Sequence, residues 1–375
     1  MLTTAPAPAP DGTTAAPARK LRFTAGSLNR VEGPFYDNSI VPNAGSQPYP
    51  LMEIPTGGWE RNIFLNFICT TAGNAAATAF QPDAPWCAAA EITFRDARGN
   101  AIIGPISGWD LFLANKWLGY GFNTDLQNQP GFVATTGAGA TGGSFNFWLP
   151  LPLELIGRDA VGSLANGASN TALRITVVLA ASTAIYATAP TALAAVRLRA
   201  YHEAWQQPEA TAPNGMEYAQ APMGAGTFHQ ITKSIYTSNL GENRIALARK
   251  GNPIRGMVFT FRTAGGVRTA TPALLALTPF QLFYEGSDLL SMDESLIRFQ
   301  MWQSNVNPTA SFDTGVLVFD WAHDFDDKVG GELREQWLKT QPGSRIEVRY
   351  TCTVAGILEV LTDEVVPAGD IVYVP

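Results

Sequence analysis

Three histidines, three cysteines and one dense acidic run hold most of the chemistry this chain can offer. Asp320 to Asp327 reads DWAHDFDD, where Asp324, Asp326 and Asp327, with His323 beside them, present the oxygen donors that a hard divalent cation prefers. The run lacks the glycine and the distal glutamate of the helix-loop-helix calcium site, and acidic residues also suit a solvated loop between strands. His202, His229 and His323 have no neighbour at metal-ligand spacing, so each reads first as structural. Cys69, Cys87 and Cys352 form no Cys-x-x-Cys pair; they read as three thiols of a reducing compartment, with a Cys69–Cys87 bridge as the minor alternative. Gly137-Ala-Gly-Ala-Thr-Gly142 fits GxGxxG by letter, but a Phe/Trp strand follows where a dinucleotide site needs a helix N-terminus. There is no phosphate-binding Gly-Lys-Ser/Thr loop and no Gly-x-Ser-x-Gly elbow. A carboxylate pair for glycoside hydrolysis cannot be picked out before the fold is known. The expectation is a protein that is not an enzyme and needs no cofactor.

Composition points the same way. Charged residues make up 15% of the chain against 46% hydrophobic, and Gly (35) and Pro (26) are frequent, a balance of strands joined by many turns. The net charge of −7 offers no general attraction to nucleic acid. Nine Trp, ten Tyr and twenty Phe suit large cores or interfaces between subunits. The N-terminus lacks the apolar core of a signal peptide. Ile175 to Val196 is uncharged and long enough to span a bilayer, but Pro190 and its Val/Thr content argue for a strand.

The elements that would position any site are strands. Phe145, Phe147 and Leu149 share one face, with Asn146 and Trp148 on the other, and Pro150 and Pro152 are expected to end the pairing. A turn-rich excursion, Leu164 to Asn170, leads to a Val/Ile/Thr strand at Leu173 to Leu179, a long connection of Greek-key type. The arrangement recurs at Gly315 to Trp321 and Arg345 to Thr353, where Ile346, Val348, Tyr350 and Cys352 form the inward face. Asn62 to Thr71 places Ile63, Leu65, Phe67 and Cys69 inward, and Ile254 to Thr263 does so with Met257, Phe259 and Phe261. Further strands are expected at Glu91 to Arg95, Phe280 to Tyr284, Val196 to Trp205 and Ile357 to Val366. Two Ser-x-x-acid boxes, Ser107 to Asp110 and Ser291 to Glu294, predict short helices. The second would place Met292, Leu296, Phe299 and Trp302 on one helical face.

The chain divides into a flexible Ala/Pro-rich arm (residues 1–22), a first domain (23–207), an aperiodic linker (208–227) and a second domain (228–375). Two cores are expected at this length. Val31 to Pro55 reads as an irregular wrap around a barrel. The arm and its continuation carry Arg19, Lys20, Arg22 and Arg30 against Asp11 alone, opposite in sign to the body. The duplicated strand order predicts an all-β protein of two tandem eight-stranded jelly rolls with a few short helices. Core positions would include Phe67, Phe147, Phe261 and Val348.

Ser107-Gly-Trp-Asp-Leu-Phe-Leu-Ala-Asn115, Gly139-Ala-Thr-Gly142, Phe147-Trp-Leu-Pro-Leu151, Asp159-Ala-Val-Gly-Ser-Leu-Ala-Asn166, Leu173-Arg-Ile175 and the aromatic strand Tyr201 to Pro208 follow one another in a consistent order. In these segments the chain resembles the double jelly-roll major capsid proteins of tectiviruses, tailless membrane-containing bacterial viruses of the adenovirus-like lineage. The resemblance covers Ser107 to Pro208; the second half is similar in pattern only. It implies a homotrimer whose six barrels make a nearly hexagonal capsomer tiling an icosahedral shell. Its partners would be neighbouring capsomers, minor capsid or penton proteins, and an internal membrane reached by Arg19, Lys20 and Arg22. No sequence-specific contact with nucleic acid is implied, and the protein would be made in the host cytoplasm. Paired jelly rolls also resemble glycan amidases and lectins, with surface Trp residues as sugar platforms, and a receptor-binding spike is a third reading.

Overall fold

The computed structural model describes residues 20–72, 74–120, 125–155, 160–167, 172–248, 251–268, 279–303, 314–321 and 337–367. The first half builds β1 (Asn29–Ile40), β2 (Gln47–Pro48), β3 (Met52–Glu53), β4 (Trp59–Cys69), β5 (Ala89–Arg95), β6 (Ala101–Ile106), β7 (Phe145–Pro152), β8 (Arg174–Leu179) and β9 (Val196–Trp205). The second builds β10 (Phe228–Ser238), β11 (Gly241–Ala246), β12 (Ile254–Thr263), β13 (Phe280–Tyr284), β14 (Ser287–Met292), β15 (Val316–Asp320), β16 (Ile346–Cys352) and β17 (Gly356–Val366). Helix α1 (Gly108–Trp117) follows β6 and α2 (Glu294–Gln303) follows β14.

In the second half one sheet runs β10-β17-β12-β15 and the other β11-β16-β13-β14. In chain order this is first-eighth-third-sixth over second-seventh-fourth-fifth, the winding of a jelly roll. The first half repeats it, with β1-β9-β4-β7 opposite a sheet in which β2 and β3 share one position beside β8, followed by β5 and β6. The equivalences expected from sequence hold, because β7 and β15 occupy the sixth position and β8 and β16 the seventh. Ile175 to Val196 contributes β8, the start of β9 and a short helix at Ser182–Ile185. No helix among the described residues is long and apolar enough to cross a membrane.

Several expectations fail for identifiable reasons. Pairing does not stop at Pro150: β7 stays in register with β4 through Pro150↔Phe64 and Pro152↔Asn62. The Trp148 amide points away from β4, donating to Gln129 Oε1 at 2.6 Å, so the prolines at the same alternation turn their missing N–H outward. Their carbonyls on that side accept from Asn115 Nδ2 (2.7 Å) and His229 Nε2 (2.5 Å). Val31 to Pro55 is not a wrap, since most of it is β1 to β3. Strand β1 lies at a sheet edge, and its Gly33-Pro34 step falls where the register shifts between Glu32 and Tyr36, a bulge that disguises a twelve-residue strand.

The core is also continuous where two were expected. Strand β6 pairs in parallel with β10 at Ile103↔Ile231, joining sheets of both halves into one of nine strands. A single apolar cluster runs from Phe67 and Phe147 to Phe261 and Val348, all fully buried. Strand β12 is buried on both faces from Ile254 to Arg262, not on one. At Gly256 a Cβ would lie 2.5 Å from Leu118, so the bare backbone admits the residue that ends α1.

Candidate functional site

Helix α1 lies between the halves, and every one of its residues is buried. Its start is the expected capping box: Ser107 Oγ accepts from the Asp110 amide (3.2 Å), and Asp110 Oδ2 accepts from the Ser107 amide (2.8 Å). Gly108 sits where a Cβ would meet the Trp86 carbonyl oxygen at 2.3 Å, so glycine allows the helix to seat against the Trp86–Ala88 turn. Towards the first half, Phe112 stacks on Trp86 (4.5 Å between centroids), Trp86 meets Phe147 edge-on (4.7 Å), and Phe147 stacks on Phe67 (5.1 Å). Lys116, wholly buried, pairs with Asp125 at 2.9 Å.

Towards the second half the contacts are ionic. Lys233 Nζ donates to Asp110 Oδ2 (2.9 Å) and reaches Glu359 Oε1 (3.0 Å); Arg262 joins Glu359 (2.7 Å) to Asp83 (2.6 Å); Arg268 takes the other Asp83 oxygen (2.7 Å). Signs alternate along the whole chain of groups, and Arg268 lies 4.7 Å over the Trp109 ring. Burial pushes the Asp110 carboxyl up, but Lys233 and the Ser107 hydrogen bonds outweigh it and hold it below its ordinary value. Burial lowers Lys233, and Asp110 and Glu359 more than restore it.

A second cluster lies just beyond the C-terminal end of α1. Tyr120 Oη is 2.7 Å from both His229 Nδ1 and Asp363 Oδ2, and Arg255 donates to Tyr120 (2.5 Å) and to Asp363 (2.8 Å). Burial raises the Asp363 carboxyl; Arg255 first, then His229 and Tyr120, bring it below its ordinary value. Both networks cross the halves, since Asp83, Asp110, Tyr120 and Pro152 precede the 208–226 segment, and Lys233, Arg255, Arg262, Arg268, Glu359 and Asp363 follow it. What the arrangement does is mechanical. It fixes one barrel against the other with charge pairs that lose several kcal/mol if one partner is removed.

No family model matches the chain, and no curated protein matches it. Solved structures do. The chain is similar to the major capsid protein of Sulfolobus Turreted Icosahedral Virus (TM-score 0.61, 13% identity, 91% of this chain and 97% of that one). It is also similar to major capsid protein P2 from Bacteriophage PM2 (TM-score 0.52, 10% identity, 92% and 100%) and to the Faustovirus major capsid protein (TM-score 0.55, 9% identity, 95% and 92%). The fold is a double jelly roll. At these identities the likeness concerns the fold, and it extends along nearly the whole chain.

Within the double jelly roll, the sequence-level candidates scatter. Asp324, Asp326, Asp327 and His323 lie outside the described residues, as does Arg19. No group of His, Cys, Asp or Glu among the described residues is arranged to hold a metal. Lys20 makes a 3.0 Å pair with Glu217, and Leu21 exchanges backbone hydrogen bonds with Glu217 and Ala219, so the chain is already seated on the 208–226 segment at residue 20. Both described histidines are buried and bonded, His202 to Glu60 (3.2 Å) and His229 in the second cluster. Gly137–Gly139 is a short strand followed by a turn and then β7. Cys69, Cys87 and Cys352 are separate thiols. Sequence reasoning found Asp110 as a capping acid but not as the partner of Lys233, 123 residues away. No local signal in the sequence marks these pairings, because the partners lie more than a hundred residues apart.

Proposed function

We propose that this protein is the major capsid protein of an icosahedral virus, a structural subunit and not an enzyme. The observation that carries this reading is a double jelly roll whose two barrels are joined by a shared sheet and buried ion networks, matching capsid proteins over more than nine-tenths of its length. A shell tile must transmit load without the barrels moving on each other, and the joint supplies that stiffness. In this reading the chain forms homotrimers, each a six-barrel block that meets neighbouring capsomers and minor capsid or penton proteins, as in tectiviruses. It is made in the host cytoplasm and has no sequence-specific contact with nucleic acid.

The basic arm faces an internal membrane, where each Lys or Arg near an anionic surface contributes about 1 kcal/mol. Leu21 is seated on the 208–226 segment, so Lys20 and Arg22 stand where the proposed arm meets the body. The test is native mass of the purified chain, expected at three times 40.2 kDa. Replacing Arg19, Lys20 and Arg22 together by Gln should leave that mass unchanged and reduce flotation with anionic vesicles. A monomer at micromolar concentration, stable and saturable by oligosaccharide, would overturn the reading.

A further inference from the structure

The outward face of the second barrel's sheet β11-β16-β13 carries a charged cluster that neither joins the halves nor fills a core. Ile346, Val348, Tyr350 and Cys352 are buried inward, so Arg345, Glu347 and Arg349 point the other way. Arg244 of β11 stands directly opposite Arg349, and Phe283 of β13 opposite Glu347. Two opposed arginines repel, and Glu347 answers both. Its Oε2 accepts from Arg244 Nε (2.8 Å) and lies 2.8 Å from Arg244 Nη2 and 3.7 Å from Arg349 Nη2, while its Oε1 pairs with Arg345. The Arg244 hydrogen bond first, against the effect of burial, holds the Glu347 carboxyl below its ordinary value, so it is ionised at neutral pH. Three guanidinium groups thus share one carboxylate, and two positive charges are left over on a chain whose net charge is −7. The acids nearby are not spent on them. Glu285 Oε1 accepts from the Arg345 amide (2.6 Å), Asp288 Oδ2 accepts from Gln281 (3.4 Å), and Glu242 makes no ion pair among the described residues.

We infer that Arg244, Arg345 and Arg349 form a binding site for a phosphate group. Donors are in reach of solvent: the Arg244 and Arg345 side chains are 53% and 61% exposed. Each guanidinium carries five N–H groups, of which Glu347 occupies only the edge turned towards it. Arg349 Nε has no hydrogen-bond partner among the described residues, and its guanidinium is fixed 3.9 Å over the Phe283 ring. A carboxylate ligand would bring two oxygens and one charge. A phosphate group brings three acceptor oxygens and a charge of about −1.5 to −2, which fits both the three guanidinium groups and the charge left over. Glu347 holds the arginines together and is also the resident anion that an incoming phosphate must tolerate.

Free phosphate and a phospholipid headgroup present the same chemistry, and the experiment separates them. Full-length protein is titrated with inorganic phosphate and pyrophosphate at constant ionic strength, read by calorimetry. It is also floated with phosphatidylcholine vesicles with and without phosphatidylinositol 4-phosphate. Saturable calorimetric binding marks free phosphate as the ligand; flotation alone, dependent on the inositol phosphate and on Arg244, marks a headgroup. Arg244→Gln or Arg345→Gln should weaken the binding about tenfold, and Arg349→Lys should weaken it too, since an ammonium keeps the charge and loses the planar fork. Glu347→Gln is the discriminating change. It removes the competing anion and should tighten binding about tenfold, whereas arginines that serve only to brace the sheet would show lower stability and no affinity for phosphate. The exposed positions Arg244 and Arg345 keep the test readable should Glu347→Gln fail to fold. Absence of saturable binding in both arms, or binding indifferent to Arg244→Gln and Arg345→Gln, overturns the inference.

Discussion

Phe147 lies at the centre of the first barrel's core. Its ring has no exposure and is packed against Phe67 and Trp86, so Phe147→Asp places an unpaired carboxylate where several kcal/mol of desolvation approach the whole stability of a domain. Expression of that variant is expected to give insoluble protein; a soluble variant with native melting would remove Phe147 from the core. Charged residues behave differently, because their effect depends on pH. Asp110 and Asp363 have folded values below their unfolded ones, so the stability they contribute is complete above about pH 4 and is lost as pH falls through the folded values. Melting temperature should therefore drop steeply on acidification below pH 4, and more shallowly in Asp110→Asn, which is already destabilised at neutral pH. Equal slopes for the two proteins would exclude Asp110 as a source of the acid sensitivity. Phe147 was legible in the sequence because its burial follows from local alternation. Lys233 was not, since nothing near it in the chain announces a partner 123 residues away.

At the scale of elements, the two serine boxes look alike and behave differently. Ser107 caps α1 with both reciprocal hydrogen bonds in place, whereas Ser291 lies within β14 and Asp293 caps α2. Ser107→Ala should cost about 1–2 kcal/mol and Asp293→Ala about 1 kcal/mol, while Ser291→Ala should cost less than about 0.5 kcal/mol in denaturant unfolding. A loss at Ser291 equal to that at Asp293 would put the helix start back at the serine. The same comparison explains what the sequence could reveal. Strands with one buried face, such as β4, β7, β9 and β16, alternate cleanly and were found close to their observed limits. Strand β1 hid behind Gly33-Pro34, β2 and β3 are two residues each, and β6, β10, β11 and β14 have no counterpart among the expected strands. In β12 the second face is covered by the other half of the molecule, so hydrophobic alternation could not report it. For α2 the sequence pattern defined a face but not its direction: Ile297 and Met301 are buried, and Leu296, Phe299 and Trp302 are exposed.

For the whole molecule, the shared sheet and the charge networks make the two barrels one mechanical object, although the chain repeats a fold that stands alone in many proteins. Separating residues 23–207 from 228–375 would open the β6–β10 edge, uncover α1, take from Asp83 and Asp110 the cations they pair with, and leave Lys233 and Arg262 sharing Glu359. Each ion left buried and unpaired costs about 3–5 kcal/mol, comparable with the stability of an isolated domain. The intact chain is therefore expected to unfold in one calorimetric transition, with calorimetric and van't Hoff enthalpies in agreement, despite a length at which separate domain transitions are common. Either half expressed alone should be aggregated or should lack fixed tertiary structure by near-ultraviolet circular dichroism. Lys233→Ala provides the intermediate case: it removes the group shared by Asp110 and Glu359 and leaves both barrels otherwise intact. If the joint couples the barrels, this substitution lowers the single transition by the equivalent of about 3–5 kcal/mol or splits it in two. Two transitions in the parent protein, or a well-folded isolated second half, would show that the barrels are only tethered and that the charge networks do not hold them together.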